Sequence, residues 1–487
     1  FGFLIAGYTY LQGKMYFIDS VVKAGAVILV IYLTNNRSNP AFKMVWMTIM
    51  LVAPVFGVLL YIFVEFQVGV RWLNARLEHM HETTKKHWTQ DEAVQEQLKE
   101  EDSEVASLAH YVCEYGGFPA YENTGVKYFS CGEDKIEELI RQLEKAEKFI
   151  FMEYFIVAKG YVWDRVLEVL KRKAAEGVEV RFMYDGTCTV SLLPPNYPKK
   201  LEQEGIACRV FSPIRPALST HQNNRDHRKI VVIDGKVAFT GGINLADEYV
   251  NRKIRFGHWK DTAIMLEGDA VRSFTLMFLN MWAIDEHTME SSRFLAYPTK
   301  PVMDAPGFVL PYSDSPVDGN KVGEQVYIDI LSRARRYVHI MTPYLIIDHN
   351  METALQYAAE RGVDVHLILP GIPDKKYAFA LAHTHYASLM KAGVKISEYT
   401  PGFVHAKVFV ADDREAVVGT INLDYRSLYH HFECAAYMLD VPCIANIEAD
   451  FQHTLKQCRR MTPERLKNDK LSMKVAGALL KAIAPLM

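Results

Sequence analysis

The sequence has little that would brace the chain covalently or draw in polyanions. Its seven cysteines, among 487 residues, are scattered, odd in number and never spaced C-x-x-C. That excludes a disulfide framework and a cysteine-based zinc site, and it fits a chain kept reduced on the cytosolic side. Neither sign of charge is in excess: Lys+Arg total 55 against Asp+Glu 58, a formal net charge of −3. Bulk nucleic acid is therefore not expected as a partner, and only a local basic cleft stays open. No metal-ligand cluster stands out along the chain. A cleavable leader is not expected, because a second apolar span follows the first and no small-residue cleavage site is evident.

Long apolar runs are present. Residues 44–64, "MVWMTIMLVAPVFGVLLYIFV", form a stretch of 21 without a charge or a histidine. At about 1.5 Å per residue a helix of that length crosses roughly the 30 Å hydrocarbon layer. Pro54 and Gly57 are tolerable in such a span. Residues 16–33 are a second candidate, weakened by Asp19 and Lys23, and "FGFLIAG" at residues 1–7 reads as the end of a further span. The expectation is an N-terminal transmembrane helical hairpin. Arg37 and Lys43 lie in its loop, whereas Arg71, Arg76, Lys85 and Lys86 follow it, which favours cytoplasmic lobes.

Beyond the anchor the chain repeats itself. "LEKAEKFIFMEYFIV" (143–157) is matched by "LSRARRYVHIMTPYLII" (331–347), and "LKRKAAEGVEVRFMYDG" (170–186) by "LQYAAERGVDVHLILPG" (355–371). Each pair reads as helix, stop, strand, so the fold class is α/β with two similar lobes. The length allows two to four domains. The boundaries expected are 1–66 for the anchor, 67–120 for a charged connector, 121–300 and 301–470 for the lobes, and 471–487 for a C-terminal amphipathic helix. The acidic run from Asp91 to Glu104 reads as a solvated face. The last helix, with Lys474 and Lys481, suits either the membrane interface or packing on the lobes.

The chemistry sits inside the repeat. His227 and Lys229 precede "IVVIDGKVAFTGGIN", and His405 and Lys407 precede "VFVADDREAVVGTIN". Both halves read His-x-Lys-x4-Asp-x6-Gly-[Gly/Thr]-x-Asn. On a strand, residues i and i+2 share a face, so each His and Lys point together. Asp234 and Asp412 belong to the signature but fall out of phase, and Asp234 precedes a glycine at a turn. They read as structural members rather than acids in the reaction. Asn244 and Asn422 return an amide to the same pocket.

Two imidazoles, two ammoniums and two carboxamides around one point suit a phosphodiester. One histidine attacks phosphorus and the other protonates the departing alkoxide. Lys229, Lys407, Asn244 and Asn422 hold the non-bridging oxygens. Each histidine needs an acceptor to fix its tautomer, and Asp261 in "HWKDTAIML" and Glu433 in "HHFECAAYML" are suitable. One such pair on a strand would be unremarkable; two copies at identical offsets inside a longer repeat are not an accident. His339, His366, His383 and His385 read as satisfied or surface groups.

These residues resemble the phospholipase D superfamily, whose duplicated signature they match. "GGINLADEY", "WKDT", "TPYLIID", "GTINLDYRSL" and the apolar span resemble bacterial membrane-anchored cardiolipin synthases more narrowly, over nearly the whole chain. The resemblance implies two lobes sharing one active site, no metal or other cofactor, and ping-pong transfer between two phosphatidylglycerol molecules through a phosphatidyl-histidine. It implies His227 as nucleophile and His405 as acid, then base. It also implies membrane phospholipids as partners and a bacterial cell membrane location. Oligomeric state, a homo-oligomer included, is not readable. The family more often has Leu-Asn where this chain has His430 and His431, a departure just before Glu433. The rival readings are a hydrolase with the same motif, a nuclease of the superfamily, and a non-catalytic membrane scaffold.

Overall fold

The computed structural model describes residues 16–36, 38–65, 84, 87–214, 224–285, 290–316 and 319–486. The first half supplies β1 (Thr124–Phe129), β2 (Phe149–Tyr154), β3 (Glu179–Asp185), β4 (Ile206–Phe211), β5 (Arg225–Asp226), β6 (Ile230–Ile233), β7 (Val237–Gly241), β8 (His258–Lys260) and β9 (Ala263–Gly268). The second supplies β10 (Phe308–Asp314), β11 (Tyr337–Met341), β12 (Leu345–Ile346), β13 (Asp364–Pro370), β14 (Lys395–Tyr399), β15 (Gly402–Val404), β16 (Val408–Ala411), β17 (Glu415–Gly419), β18 (Leu423–Asp424), β19 (His431–Leu439) and β20 (Cys458–Arg460).

The first sheet runs β1-β9-β7-β6-β2-β3-β4, and the second β10-β19-β17-β16-β11-β13-β14-β20. Laid over one another, the first seven positions coincide, so the repeat in sequence is a repeat of topology. In each sheet three strands are parallel, β2-β3-β4 and β11-β13-β14, and the flank is antiparallel. "FIFMEY" of β2 is buried at every position, as a parallel strand covered on both faces must be. Helices Tyr161–Ala175 and His349–Glu360 lead back to β3 and β13. Gly177 (φ 91°) and Gly362 (φ 95°) stop them in the left-handed region, where a Cβ would be strained. One apolar cluster runs from Phe151 and Phe278 of the first half to Tyr327 and Phe409 of the second. The halves therefore share a core and hold a site at their junction rigidly.

The N-terminal expectation needs correction. Residues 44–64 do not form one span. They divide between helices Pro40–Val52 and Pro54–Glu65 at Ala53, whose backbone leaves the helical region (φ −139°, ψ 75°). Pro54 disfavours helix in the residue before it, and Gly57 then allows a close fold-back: a Cβ there would lie 2.7 Å from the Met50 Cα. These helices of 13 and 12 residues reach only about 20 and 18 Å. Leu33, Trp46, Met50 and Tyr61 bury one another where the two meet helix Tyr16–Asn35. Among the described residues no helix is long and apolar enough to cross a membrane. The expected transmembrane hairpin and multi-pass topology thus lack support there. Residues 1–7, Arg37, Arg71, Arg76, Lys85 and Lys86 lie outside the described residues.

The acidic run is more than a solvated face. Asp91 and Asp102 cap helices Glu92–Glu101 and Ser103–Gly116, accepting from Ala93 N and from Glu104 N and Val105 N. The C-terminal helix Leu471–Lys481 lies against helix Lys376–Lys391, with Gly477 close to the Ala380 carbonyl. Its Leu471, Val475 and Leu479 face outward.

Candidate active site

Short strands swapped across the halves build the site. β5 pairs in parallel with the start of β19, setting Arg225 beside His431 and Asp226 beside Phe432. The chain then delivers His227 next to Glu433, with the His227 N–H donating to the Phe432 carbonyl at 2.9 Å. β15 pairs in parallel with β8 in the same manner, Phe403 beside Trp259 and Val404 beside Lys260. His405 follows, next to Asp261, and its N–H donates to the Lys260 carbonyl at 2.7 Å. Each half therefore presents its histidine to a carboxylate of the other half.

His227 Nδ1 lies 2.9 and 3.0 Å from the two Glu433 oxygens. His405 Nδ1 lies 2.7 Å from Asp261 Oδ2. Both carboxylates have no solvent exposure, and both rings are more than nine-tenths buried. A carboxylate at Nδ1 places the proton there and leaves Nε2 of each ring with a free lone pair. Thr420 Oγ1 donates to Glu433 as well. In the first half Gly242 stands where Thr420 stands in the second, and a Cβ on it would lie 2.0 Å from Asp261 Oδ1. The tight Gly-Gly turn is thus a condition for seating Asp261. Phe155 walls His227 at 4.8 Å between ring centres, and Trp259 and Tyr249 wall His405 at 5.2 and 5.5 Å.

Lys229 and Lys407 point with their histidines and are 2% and 1% exposed. Each ammonium donates to the carbonyl of the histidine two residues earlier. Burial pulls Lys229 down to about 8 and Lys407 down to about 7, against the pull of Asp261 and Glu433. Burial, with Lys407 beside it, pulls His405 down to about 4. Burial likewise holds His227 well below its usual value. Burial alone would raise the Glu433 carboxyl, but the His227 ring keeps it far below the ordinary range. Burial thus favours neutral rings on both histidines and loosens the proton on both lysines, while Glu433 stays ionised.

The remaining signature residues divide. Asp234 and Asp412 sit at the far ends of β6 and β16, both in the left-handed region (φ 53° and 55°). Asp234 accepts from Glu147, Lys148 and Phe149 N–H at 2.7–2.8 Å, and Asp412 from Arg335, Arg336 and Tyr337 N–H at 2.7–2.8 Å. Each ties its turn to the start of the central strand and touches no reacting group. Asn244 accepts from Ile156 N–H and donates to Tyr249 OH, leaving one N–H for a ligand. Asn422 Oδ1 is buried with no hydrogen-bond partner.

Sequence reasoning missed several members. Arg228, between His227 and Lys229, turns inward and donates to Glu153 at 2.7 Å, a buried pair behind the site. His431 lies 5.5 Å from His227 ring to ring, and neither of its nitrogens has a hydrogen-bond partner, with Nδ1 3.8 Å from Glu433 Oε1. Trp259 and His431 each stand two residues before a pinning carboxylate. On a strand that spacing puts them on its face, the signal that could have found them. Among the described residues, one group has the donor spacing of a metal site: His227, His431 and Glu433, within 4.8 Å of one another. Of the other histidines, His339, His383 and His385 meet carboxylates and His366 meets Ser397.

The family described as cardiolipin synthase, PLD-like domain, matches residues 139–282 and 327–455. The chain belongs to this phospholipase D-like cardiolipin synthase family. A phospholipase D-nuclease N-terminal description matches residues 24–65. A cardiolipin synthase of Geobacillus sp. (strain WCH70) is 31% identical over 100% of this chain and 97% of its own. One of Geobacillus kaustophilus is 32% identical, over 98% and 95%. An uncharacterized protein of Streptococcus mutans is 54% identical over 94% of this chain and 99% of its own. The crystal structure of phosphatidylserine synthase from Haemophilus influenzae shares the fold, with TM-score 0.57 and 14% identity over 74% of this chain and 93% of that one.

Proposed function

We propose that the protein is a cardiolipin synthase, a phosphatidyltransferase that joins two phosphatidylglycerol molecules and releases glycerol. The observation that carries this is the reciprocal pinning, His227 on Glu433 and His405 on Asp261. Two neutral imidazoles, each with a free Nε2, converge with two buried lysines at the junction of the halves.

His227 Nε2 attacks phosphorus. The N–P bond forms as the bond from phosphorus to the glycerol oxygen breaks, and that oxygen takes a proton from His405. Burial leaves His405 holding its proton weakly, but a phosphodiester brings a negative charge beside it and raises its affinity for the proton. In the second step a hydroxyl of another phosphatidylglycerol gives its proton to His405. The new O–P bond forms as the N–P bond breaks. Lys229, Lys407, Asn422 and the free N–H of Asn244 bear on the non-bridging oxygens. Asp234 and Asp412 support the turns only.

Membrane phospholipids as substrates fit the outer surface. Val27, Ile28, Ile31, Leu51 and Val52 of the N-terminal helices are exposed, as are Leu471, Val475 and Leu479 of the last helix. Phe42 packs on Tyr425, Tyr429 and His430, so these helices join the second half beside the site. An apolar face of this kind suits the bilayer interface on the cytoplasmic side. Purified protein with phosphatidylglycerol in mixed micelles tests the function. Cardiolipin and free glycerol are the expected products, and added glycerol should drive the reverse reaction. Phosphatidic acid as the main product would make the protein a hydrolase instead.

A further inference from the structure

We propose that His431 reads the polyol headgroup: its Nε2 accepts a hydrogen bond from a substrate hydroxyl that does not itself react. The inference rests on the phosphatidyl-transfer reading and adds a specificity-determining residue to it. His431 opens β19, two residues before Glu433 and on the same strand face. It is 8% exposed, and neither ring nitrogen has a hydrogen-bond partner, although Nδ1 lies 3.8 Å from Glu433 Oε1. Buried polar atoms are hydrogen-bonded as a rule, so an unpartnered Nε2 beside a reacting ring points to a ligand atom. Its ring lies 5.5 Å from that of His227 and 6.4 Å from Phe155, centre to centre.

The surroundings decide which kind of ligand. His431 Nδ1 lies 3.8 Å from Glu433 Oε1, an oxygen of an ionised carboxylate already bound by His227 and Thr420. A carboxylate at that side favours the proton on Nδ1. Nε2 then carries the lone pair, on the ring edge away from Glu433, and needs a donor. A phosphodiester has no donor to offer. The lysine ammoniums are turned to their own histidine carbonyls. A polyol next to the phosphodiester does carry donors.

The test compares phosphatidylglycerol with phosphatidylpropanol, which keeps the three-carbon headgroup without its hydroxyls. Release of the headgroup alcohol is followed with the full chain in mixed micelles. Wild type should prefer phosphatidylglycerol by about tenfold or more in kcat/KM. His431→Phe should lose about that factor on phosphatidylglycerol and stay within about twofold on phosphatidylpropanol. His431→Asn, which keeps an acceptor, should retain most of the preference and serves if the Phe variant does not fold. Equal losses on both lipids, or an unchanged ratio in His431→Phe, would overturn the proposal. So would one zinc ion bound per wild-type chain and none per His431→Asn chain, because the orphan nitrogens would then be metal ligands. Failure of the transfer reading is separate: wild type would yield phosphatidic acid, with the headgroup ratio still measurable.

Discussion

Two lysines that burial holds below their ordinary range should make phosphodiester binding a proton-coupled event. Lys407 is pulled down to about 7 and Lys229 to about 8, in both cases by burial first. An anion between them restores the charged form toward the ordinary lysine value of about 10.4. For Lys407, starting from about 7, that is worth about 5 kcal/mol of coupling at most. The sign follows from which state binds more protons. Below pH 7 both lysines are charged with or without ligand, and affinity does not depend on them. Above about 7 Lys407 has lost its proton and must regain it on binding, so the Kd should rise about tenfold per pH unit. Above about 8 Lys229 joins, and the slope should approach two. Titration calorimetry with a soluble glycerophosphodiester, in buffers of different ionisation heat, reads the uptake directly. About one and a half protons are expected at pH 8, roughly one to Lys407 and half to Lys229, and Lys407→Met should remove the first rise. A Kd flat from pH 6.5 to 9 with no proton uptake would refute the reasoning.

Three further outcomes follow from single contacts. Asp234→Ala and Asp412→Ala each strip an acceptor from three backbone N–H groups. Each should cost about 2–4 kcal/mol in denaturant unfolding, while the folded fraction keeps near-normal kcat. Gly242→Ala sets a methyl 2.0 Å from Asp261 Oδ1; turnover should fall about a hundredfold, and His227 phosphatidylation followed by mass spectrometry should slow with it, because His405 serves both steps. Glu433→Gln frees the His227 tautomer, so it should lose the covalent intermediate itself, whereas Asp261→Asn should form it slowly and fail to resolve it. The expected drop in cardiolipin formation is about 10²–10⁴-fold for both.

The sequence made the duplicated α/β topology legible because the repeat preserves local rules. Helix stops at Gly177 and Gly362, mostly apolar central strands and turn-forming Asp234 and Asp412 are each set within a few residues of themselves. The pairing of the site was not legible. Asp261 follows the first motif and Glu433 the second, and nothing local says that they exchange partners. The exchange comes from β5 docking on β19 and β15 on β8, pairings between residues about 150 to 200 positions apart. The apolar run 44–64 failed for the opposite reason, since hydropathy is a sum that does not register Pro54 and Gly57 as a place to fold back.

The exchange has a mechanistic consequence. Were each carboxylate to serve the histidine of its own half, either half could hold a correctly oriented imidazole alone. With His227 on Glu433 and His405 on Asp261, neither ring is oriented until both halves have folded against each other. The shared core from Phe151 to Phe409 makes that docking part of folding rather than a later event. Nucleophile and acid then come into register together. A lone half would carry a histidine without its tautomer-fixing partner and a buried carboxylate without its imidazole.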